Sequence, residues 1–354
     1  MTHGSRLFFR MSKMIEIDGS HGEGGGQVLR TALALSLITG KPFHLRHVRA
    51  GRARPGLQAQ HLMCVNAAAK IGRAKLRGAS LGSCDLVFEP SDVMNGDYDF
   101  KIGTAGATSL VLHAIYLPLA LNPGNSAIHI EGGTHVKASP CFDFLARTWV
   151  KYLTVLGIRM DLSMERAGFY PRGGGSIHAA ITGGVAPLRP FLGLTPEMPR
   201  HATIVCGSAG LPAHVADRMI RTATTRLVHI GLGIESSQIT WTGGPGCMLG
   251  IELNTIPVPT FLFSLGEKGK PAEAVAHEAV DQVETYLAAE LIGVDEHSAD
   301  QLILPLAFAQ GSSRFAVSRI SSHLLTNADV IGHFLDRPIA IEGIEGEPGV
   351  VSIG

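Results

Sequence analysis

Aromatic residues are scarce in this sequence: Phe, Trp and Tyr make up 6% of its 354 residues. That scarcity argues against an RNA-binding module that stacks bases on an aromatic-rich sheet. Cysteine is scarce as well. Cys64, Cys84, Cys141, Cys206 and Cys247 are odd in number, far apart and never in Cys-x-x-Cys spacing. A disulfide framework and a zinc knuckle are therefore disfavoured, and a reducing compartment, the cytoplasm, is expected. Long apolar runs are missing too. The most apolar stretch, Ser109–Leu121, is too short for a membrane span and contains His113 and Pro118, so it reads as a buried helix and no membrane partner is expected. Met1–Lys13 has no apolar core of signal-peptide length and reads as a lead-in without fixed structure, with Met11 and Met14 as alternative starts.

Acidic residues are absent from Gly24 through Cys84, although the chain as a whole balances 30 Lys and Arg against 30 Asp and Glu. The same stretch carries Arg30, Lys41, Arg46, Arg49, Arg52, Arg54, Lys70, Arg73, Lys75 and Arg77. A local excess of this size points to phosphates or nucleic acid, which net charge alone would hide. With 45% hydrophobic and 17% charged residues, the chain can bury a large core, enough for two domains or for one with a big insertion.

Periodicity predicts α/β organisation. A strand at Met14–Asp18 leads through a glycine-rich turn into a helix at Gln27–Thr39. A strand at Pro42–Val48, a helix at Leu57–Ile71 and strands near Ala74–Arg77 and Asp85–Phe88 complete a β-α-β-α-β-β unit. The pattern recurs with strands at Tyr98–Ile102, Ala127–Ile130, Arg159–Met164 and Ser176–Ile181, and helices at Ala105–Ala120 and Phe142–Leu156. A third, less complete copy is expected over Ala272–Gly354, with helices at Ala272–Glu290, Ala299–Ala309 and Ser321–Phe334. Between the second and third copies, 185–270 opens with Pro187, Pro190, Pro196 and Pro199. It reads as a small inserted α/β domain with a strand at Ala202–Cys206, a helix at Ala213–Ile230 and strands near Ser236–Trp241 and Cys247–Leu253. The expected division is a lead-in at 1–13, a large domain at 14–184 and 271–354, and the insertion at 185–270.

Three segments carry chemistry. Gly22-Glu23-Gly24-Gly25-Gly26-Gln27 joins a strand to a helix, where backbone N–H groups and the positive dipole end can hold an anion. A glycine-rich turn alone is weak evidence, but Glu23 sharpens it. A carboxylate in a phosphate loop repels phosphate unless a divalent cation bridges the two. Arg49-Ala50-Gly51-Arg52-Ala53-Arg54-Pro55-Gly56 sets three arginines among small residues ahead of a helix, a pattern suited to bidentate phosphate contacts. In Ser321-Ser322-His323-Leu324-Leu325-Thr326-Asn327, Ser321 or Ser322 can cap a helix whose first turn holds His323. There the dipole lowers the imidazole pKa and keeps a ring nitrogen nucleophilic.

Five segments, in order, resemble the RNA 3′-terminal phosphate cyclase family. They are Ile17-Asp18-Gly19-Ser20-His21-Gly22-Glu23-Gly24-Gly25-Gly26-Gln27, Arg49 through Leu57, Gly168-Phe169-Tyr170-Pro171-Arg172-Gly173-Gly174-Gly175, Ala299-Asp300-Gln301-Leu302, and Ser322 through Asn327. The resemblance runs from about Met14 to the C-terminus. It implies three repeated α/β units with a small inserted domain. It also implies ATP-dependent conversion of an RNA 3′-phosphate to a 2′,3′-cyclic phosphodiester through a histidine–AMP intermediate and an RNA 3′-adenylate. By motif match, His323 is the nucleophile and Glu23 holds a divalent cation, Mg²⁺ or Mn²⁺. Arg30, Arg49, Arg52 and Gln60 are expected to meet phosphates, and Asp300 and Gln301 to lie near the nucleotide. Pro140 and Phe144 are expected against the adenine.

The expected partners are ATP, an RNA bearing a 3′-phosphate and a second copy of the chain. Two departures from the family pattern stand out. His297 occupies the place of a base-stacking aromatic, and Val136-Lys137-Ala138-Ser139 differs ahead of Pro140. The alternative is a non-catalytic relative acting in ribosome assembly, against which His323, Glu23 and the arginine run speak together. An enolpyruvyl-type transferase shares the repeated units but has no use for the Ser-His-Leu-Leu-Thr-Asn segment.

Overall fold

The computed structural model describes residues 13–193, 198–289 and 291–354; apart from Lys13, the lead-in expected over 1–13 lies outside them. The first unit comprises β1 (Ile15–Asp18), α1 (Gln27–Thr39), β2 (Phe43–Arg46), α2 (Ala59–Gly72), β3 (Lys75–Arg77) and β4 (Asp85–Glu89). Its sheet runs β1-β2-β4-β3, with β1 and β2 parallel and the other neighbours antiparallel. The second unit comprises β5 (Asp97–Lys101), α3 (Thr108–Leu121), β6 (Asn125–Gly132), α4 (Phe142–Phe144), α5 (Val150–Leu156), β7 (Arg159–Arg166) and β8 (Gly175–Thr182). Its order, β5-β6-β8-β7, repeats the first. The helix expected as one span at Phe142–Leu156 is continuous but widens into a π turn at Leu145–Trp149, between α4 and α5.

The third sheet begins earlier than the periodicity indicates. A two-residue strand, β9 (Leu192–Gly193), pairs in parallel with a strand more than a hundred residues later. Between them come β10 (His201–Ala209), α6 (Ala213–His229), β11 (Gly233–Thr240), β12 (Gly246–Leu253), β13 (Thr260–Leu265) and α7 (Ala272–Leu287). These strands form their own sheet in the order β11-β10-β12-β13. The chain then returns through α8 (Glu296–Leu306), β14 (Ser313–Val317), α9 (Ser322–Phe334), β15 (Ile339–Gly343) and β16 (Gly349–Ile353). The third sheet, β9-β14-β16-β15, thus has the same order as the first two, and the additional sheet interrupts it after its first strand. So short an edge strand leaves no periodic signal, which is why the interruption reads from sequence as lying between units.

Two more features depart from the sequence reading. Strand β13, Thr-Phe-Leu-Phe-Ser-Leu, is buried at all but one position, so it lacks the alternation that marks a half-exposed strand. Helix α7, expected with the third unit, instead packs on α6, β12 and β13. Its Val275, Ala279 and Val283 share a core with Ala216, Met219, Leu227, Leu249 and Ile251. Helical periodicity shows that a segment has an apolar face but not which sheet that face covers.

A single larger core joins the three repeated units through their helices. Helix α1 packs on α2, α3 and α9, and α8 packs on α9. Leu29, Leu33, Val111, Ile115, Trp149, Leu302, Leu324 and Ile331 all belong to it. No helix among the described residues is long and apolar enough to cross a membrane; α3, the most apolar, is a core helix as expected.

Candidate active site

The contact of α1 with α9, and of α9 with α8, draws three helix N-termini together. The loop before α1 is a glycine turn that is left-handed at two points. Gly22 and Gly24 have φ of 62° and 56°. A Cβ on Gly22 would also lie 2.3 Å from Thr326 Oγ1. That hydroxyl accepts from the Glu23 N–H at 3.1 Å, so the loop is docked on α9. No side chain of the residue preceding α1 caps the helix. Glu23 does so instead, its Oε1 accepting from the Gln27 N–H at 3.1 Å, while Oε2 pairs with Arg52. The Glu23 side chain is only 5% exposed, so its charge is compensated almost wholly by protein groups.

Opposite Glu23 stands His323, in the first turn of α9. Of the two candidate caps, Ser321 takes the role, its Oγ accepting from the Leu324 N–H at 3.0 Å. His323 Nδ1 lies 3.8 Å from Glu23 Oε1 and is buried with no hydrogen-bond partner. The ring as a whole is 41% exposed, leaving Nε2 as the nitrogen open to the cavity. Burial pushes the imidazole pKa below its ordinary value. Glu23 opposes this shift, and Arg30, Arg52 and His297 add to it.

A hydrogen-bond network fixes the three helices around these two residues. Gln27 Nε2 donates to Asn327 Oδ1 at 3.0 Å, and Thr31 Oγ1 donates to the same oxygen at 2.6 Å. Asn327 Nδ2 donates to the Asp300 carbonyl at 2.6 Å. Arg30 donates to Gln27 Oε1 and sits deep enough that burial lowers even its guanidinium pKa. Asp300 is held well above the usual carboxylate range, first by burial and then by Asp295.

A cavity of about 430 Å³ opens beside this network. Arg30, Pro140, Phe144, His297, Asp300, Gln301 and His323 all line it. His297, at the start of α8, has its N–H capped by Asp295 Oδ1 at 3.1 Å and a side chain 54% exposed. Gln301 donates to the His297 carbonyl at 2.9 Å, and its Oε1 is a buried acceptor without a partner.

Other expected residues sit outside the cavity lining. Arg52 lies against Glu23 and the glycine loop. Arg49 turns away to donate to the carbonyls of Arg54 and Gly56, at 2.7 and 2.9 Å. Gln60 Oε1 accepts from the Ala107 N–H at 3.0 Å, joining the first unit to the turn that begins α3.

Other residues at the site belong to none of the sequence motifs assigned a role. His61, beside Gly26 and Arg30, is held neutral by burial and the nearby arginines, its pKa lowered to about 3. Phe263, Ser264 and Lys270 close one side of the cavity, together with Glu278 and Gln282. The inserted segment therefore contributes to the site, although none of its residues belongs to the motifs above. In the sequence, the apolar run Thr260–Leu265 is the signal for this wall.

Fold and site together define an α/β protein in which a helix-terminal histidine, a buried aspartate and one buried arginine border a cavity, with a second carboxylate and arginine beside the histidine. Residues 21–341 match the family described as RNA 3′-terminal phosphate cyclase. An RNA 3′-terminal phosphate cyclase of Koribacter versatilis (strain Ellin345) is 44% identical over 337 residues, covering 94% of this chain and 93% of that protein. Proteins of the same name from Salmonella agona (strain SL483) and Ralstonia nicotianae (strain ATCC BAA-1114 / GMI1000) are each 40% identical. They cover 94% and 96% of this chain, and 95% and 96% of their own lengths. The chain belongs to the RNA 3′-terminal phosphate cyclase family. Among solved structures, an EPSP synthase from Acinetobacter baumannii aligns at a TM-score of 0.27 and 12% identity, over 97% of this chain and 64% of that one. That likeness is too slight to bear on fold or function.

Proposed function

We propose that this chain is an enzyme that uses ATP to convert the 3′-terminal phosphate of an RNA into a 2′,3′-cyclic phosphodiester. One observation carries the reading. His323 stands at a helix N-terminus with Nδ1 facing the buried Glu23 and Nε2 open to a cavity bordered by Arg30. Nε2 attacks the α-phosphorus of ATP, and the bond to the bridging oxygen breaks as pyrophosphate leaves. A terminal oxygen of the RNA 3′-phosphate then attacks the same phosphorus and displaces the imidazole, giving an RNA 3′-adenylate. The neighbouring 2′-hydroxyl gives up its proton and attacks the RNA phosphorus, AMP departs and the ring closes. One difficult condensation is thereby split into successive substitutions.

The remaining residues supply binding and orientation. The N–H groups at the start of α1, with Arg30 and Arg52, favour phosphate charge next to His323. Arg49 and Gln60, on the adjoining loop and helix, would serve the RNA end. Pro140, Phe144 and His297 offer surfaces for the base, and the free Gln301 Oε1 can accept from an exocyclic amine. Asp300 carries the backbone carbonyl that holds Asn327 and lies on the same wall.

We assign a divalent cation, Mg²⁺ or Mn²⁺, to Glu23, which would give up its pairing with Arg52 to hold it. Such ions take one or two carboxylates and leave their other positions to phosphates and water, and Glu23 is the carboxylate that faces His323. When bound, the cation would neutralise phosphate charge.

Incubation of the purified protein with α-labelled ATP tests the proposal. Covalent label should appear on a peptide containing His323, with release of pyrophosphate. Label confined to another peptide, or none at all, would remove the assignment.

A further inference from the structure

We propose that the outer face of the second sheet carries a metal site, unconnected with the ATP chemistry, for a divalent ion of the zinc type. Its ligands are His129, His178 and Glu165, and Asp99 orients His129. His129 on β6 and His178 on β8 are directly opposed in the antiparallel register, and Asp99 on β5 is opposed to His129. Three adjacent strands therefore present a row of Asp, His and His on one face. The two imidazoles stack with centroids 4.5 Å apart.

The fourth strand supplies Glu165, and a local irregularity places it there. Met164 pairs with Ile177 and Arg166 with Ser176, so the register shifts around Glu165, which has no partner of its own. Bulges of this kind re-aim a side chain. Here the carboxylate lies 3.6 Å from His178 Nε2 and accepts from Ser176 Oγ at 3.0 Å. One ligand atom from each of His129, Glu165 and His178 can be chosen so that all lie within 4.8 Å of one another. An ion with bonds of about 2.0–2.2 Å would draw three such atoms closer together.

The second shell is also present. His129 Nδ1 is 3.2 Å from Asp99 Oδ2, the contact that holds a metal-ligating imidazole in the correct tautomer. His129 Nε2, the nitrogen so freed, is buried and has no hydrogen-bond partner. A buried unpartnered nitrogen calls for an explanation, and an ion on it supplies one. Lys101, two residues beyond Asp99 on β5, is engaged by Glu131 at 3.1 Å. A concavity of about 360 Å³ lies over Asp99, His129 and His178, open enough for an ion and its water. Two imidazoles and one carboxylate select borderline ions over Mg²⁺ or Ca²⁺, and a fourth position remains for water. Such an ion would tie β6, β7 and β8 together.

The test is calorimetric titration of Zn²⁺ into chelator-treated full-length protein, without nucleotide, beside thermal unfolding at each metal level. The wild type should take up one equivalent more than His129→Ala or His178→Ala, and only the wild type should gain the associated rise in Tm. Glu165→Gln, which preserves shape, should lose most of the affinity. Asp99→Asn should weaken it by roughly 10-fold to 100-fold while keeping the stoichiometry. Equal uptake and equal Tm response in wild type, His178→Ala and Glu165→Gln would overturn the proposal and leave these residues as cross-strand ion pairs only.

Discussion

His323 Nδ1 faces Glu23 Oε1 at 3.8 Å, across the junction of the first and third repeated units. A carboxylate on one side of an imidazole biases the proton toward the nitrogen that faces it and leaves the other nitrogen's lone pair free. The same carboxylate caps α1 and pairs with Arg52, so the glycine loop, the arginine turn and the histidine form one electrostatic unit.

The pH dependence of self-adenylylation should reflect this balance. Burial sets the imidazole pKa below its ordinary 6.5, so neutral His323 persists to lower pH and the reaction should fail only as pH drops through the lowered value. Glu23→Gln removes the main influence raising that pKa and should move the acid limb further down, as well as slowing the reaction and raising its metal requirement. Single-turnover labelling across pH measures both limbs. A wild-type midpoint above 6.5, or an upward shift in Glu23→Gln, would contradict the electrostatic account.

His323→Ala and His323→Asn should abolish covalent labelling and the cyclisation of a 3′-phosphate RNA with ATP. Both should still cyclise an RNA already carrying a 3′-adenylate, because that step requires only positioning and departure of AMP. The wild-type adduct, a phosphoramidate, should be labile to acid and stable to alkali. Acid-stable label would place the nucleophile on another residue type.

Arg49→Ala and Arg52→Ala should each weaken phosphate recognition by about 1.5–3 kcal/mol, the range for a charge-assisted contact. They should differ in how stability is lost. Arg49 holds the carbonyls of Arg54 and Gly56, so its loss should lower Tm. Arg52 is half-exposed but pairs the buried Glu23 carboxylate, so its loss should lower Tm in a way that adding Glu23→Gln offsets, whereas the effect of losing Arg49 should persist in that background. Binding titrations with 3′-phosphate RNA, paired with thermal melts, separate the two effects. The same response of both variants to Glu23→Gln would refute the distinction.

Phe263→Ala tests the wall contributed by the inserted sheet. Losing about 1–2 kcal/mol of apolar contact should raise KM for ATP by roughly 5-fold to 30-fold with little change in kcat. An unchanged KM would show that ATP does not reach β13.

Acid should destabilise the fold through His61 and His113, both lowered to about 3 by burial. Between their ordinary value of 6.5 and about 3, the unfolded chain binds protons that the native chain does not, so stability falls as pH falls. His113 packs against Trp149, with ring centroids 5.6 Å apart, and His113→Phe should flatten this part of the pH profile. Urea melts at several pH values measure the slope, and an equal slope in the variant would count against the assignment.

Much of this protein is determined by contiguous residues and was legible from them. The glycine turn before α1, the serine cap that sets His323 in the first turn of α9, the acid-free arginine stretch and the repeated β-α-β-α-β-β pattern all follow from short-range periodicity, backbone freedom and capping. Tertiary structure decided what these pieces do to one another. Only packing of α1 on α9 brings Glu23 to His323, and no local pattern encodes a contact between units so far apart in the chain. Only sheet topology shows that β9 belongs with β14, because a two-residue strand has no period. Only the packing of α7 on α6, β12 and β13 reveals where the inserted sheet finds its cover and how its Phe263 reaches the cavity. An apolar face specifies that it must be buried, but its partner is selected by the shape of everything else that folds around it.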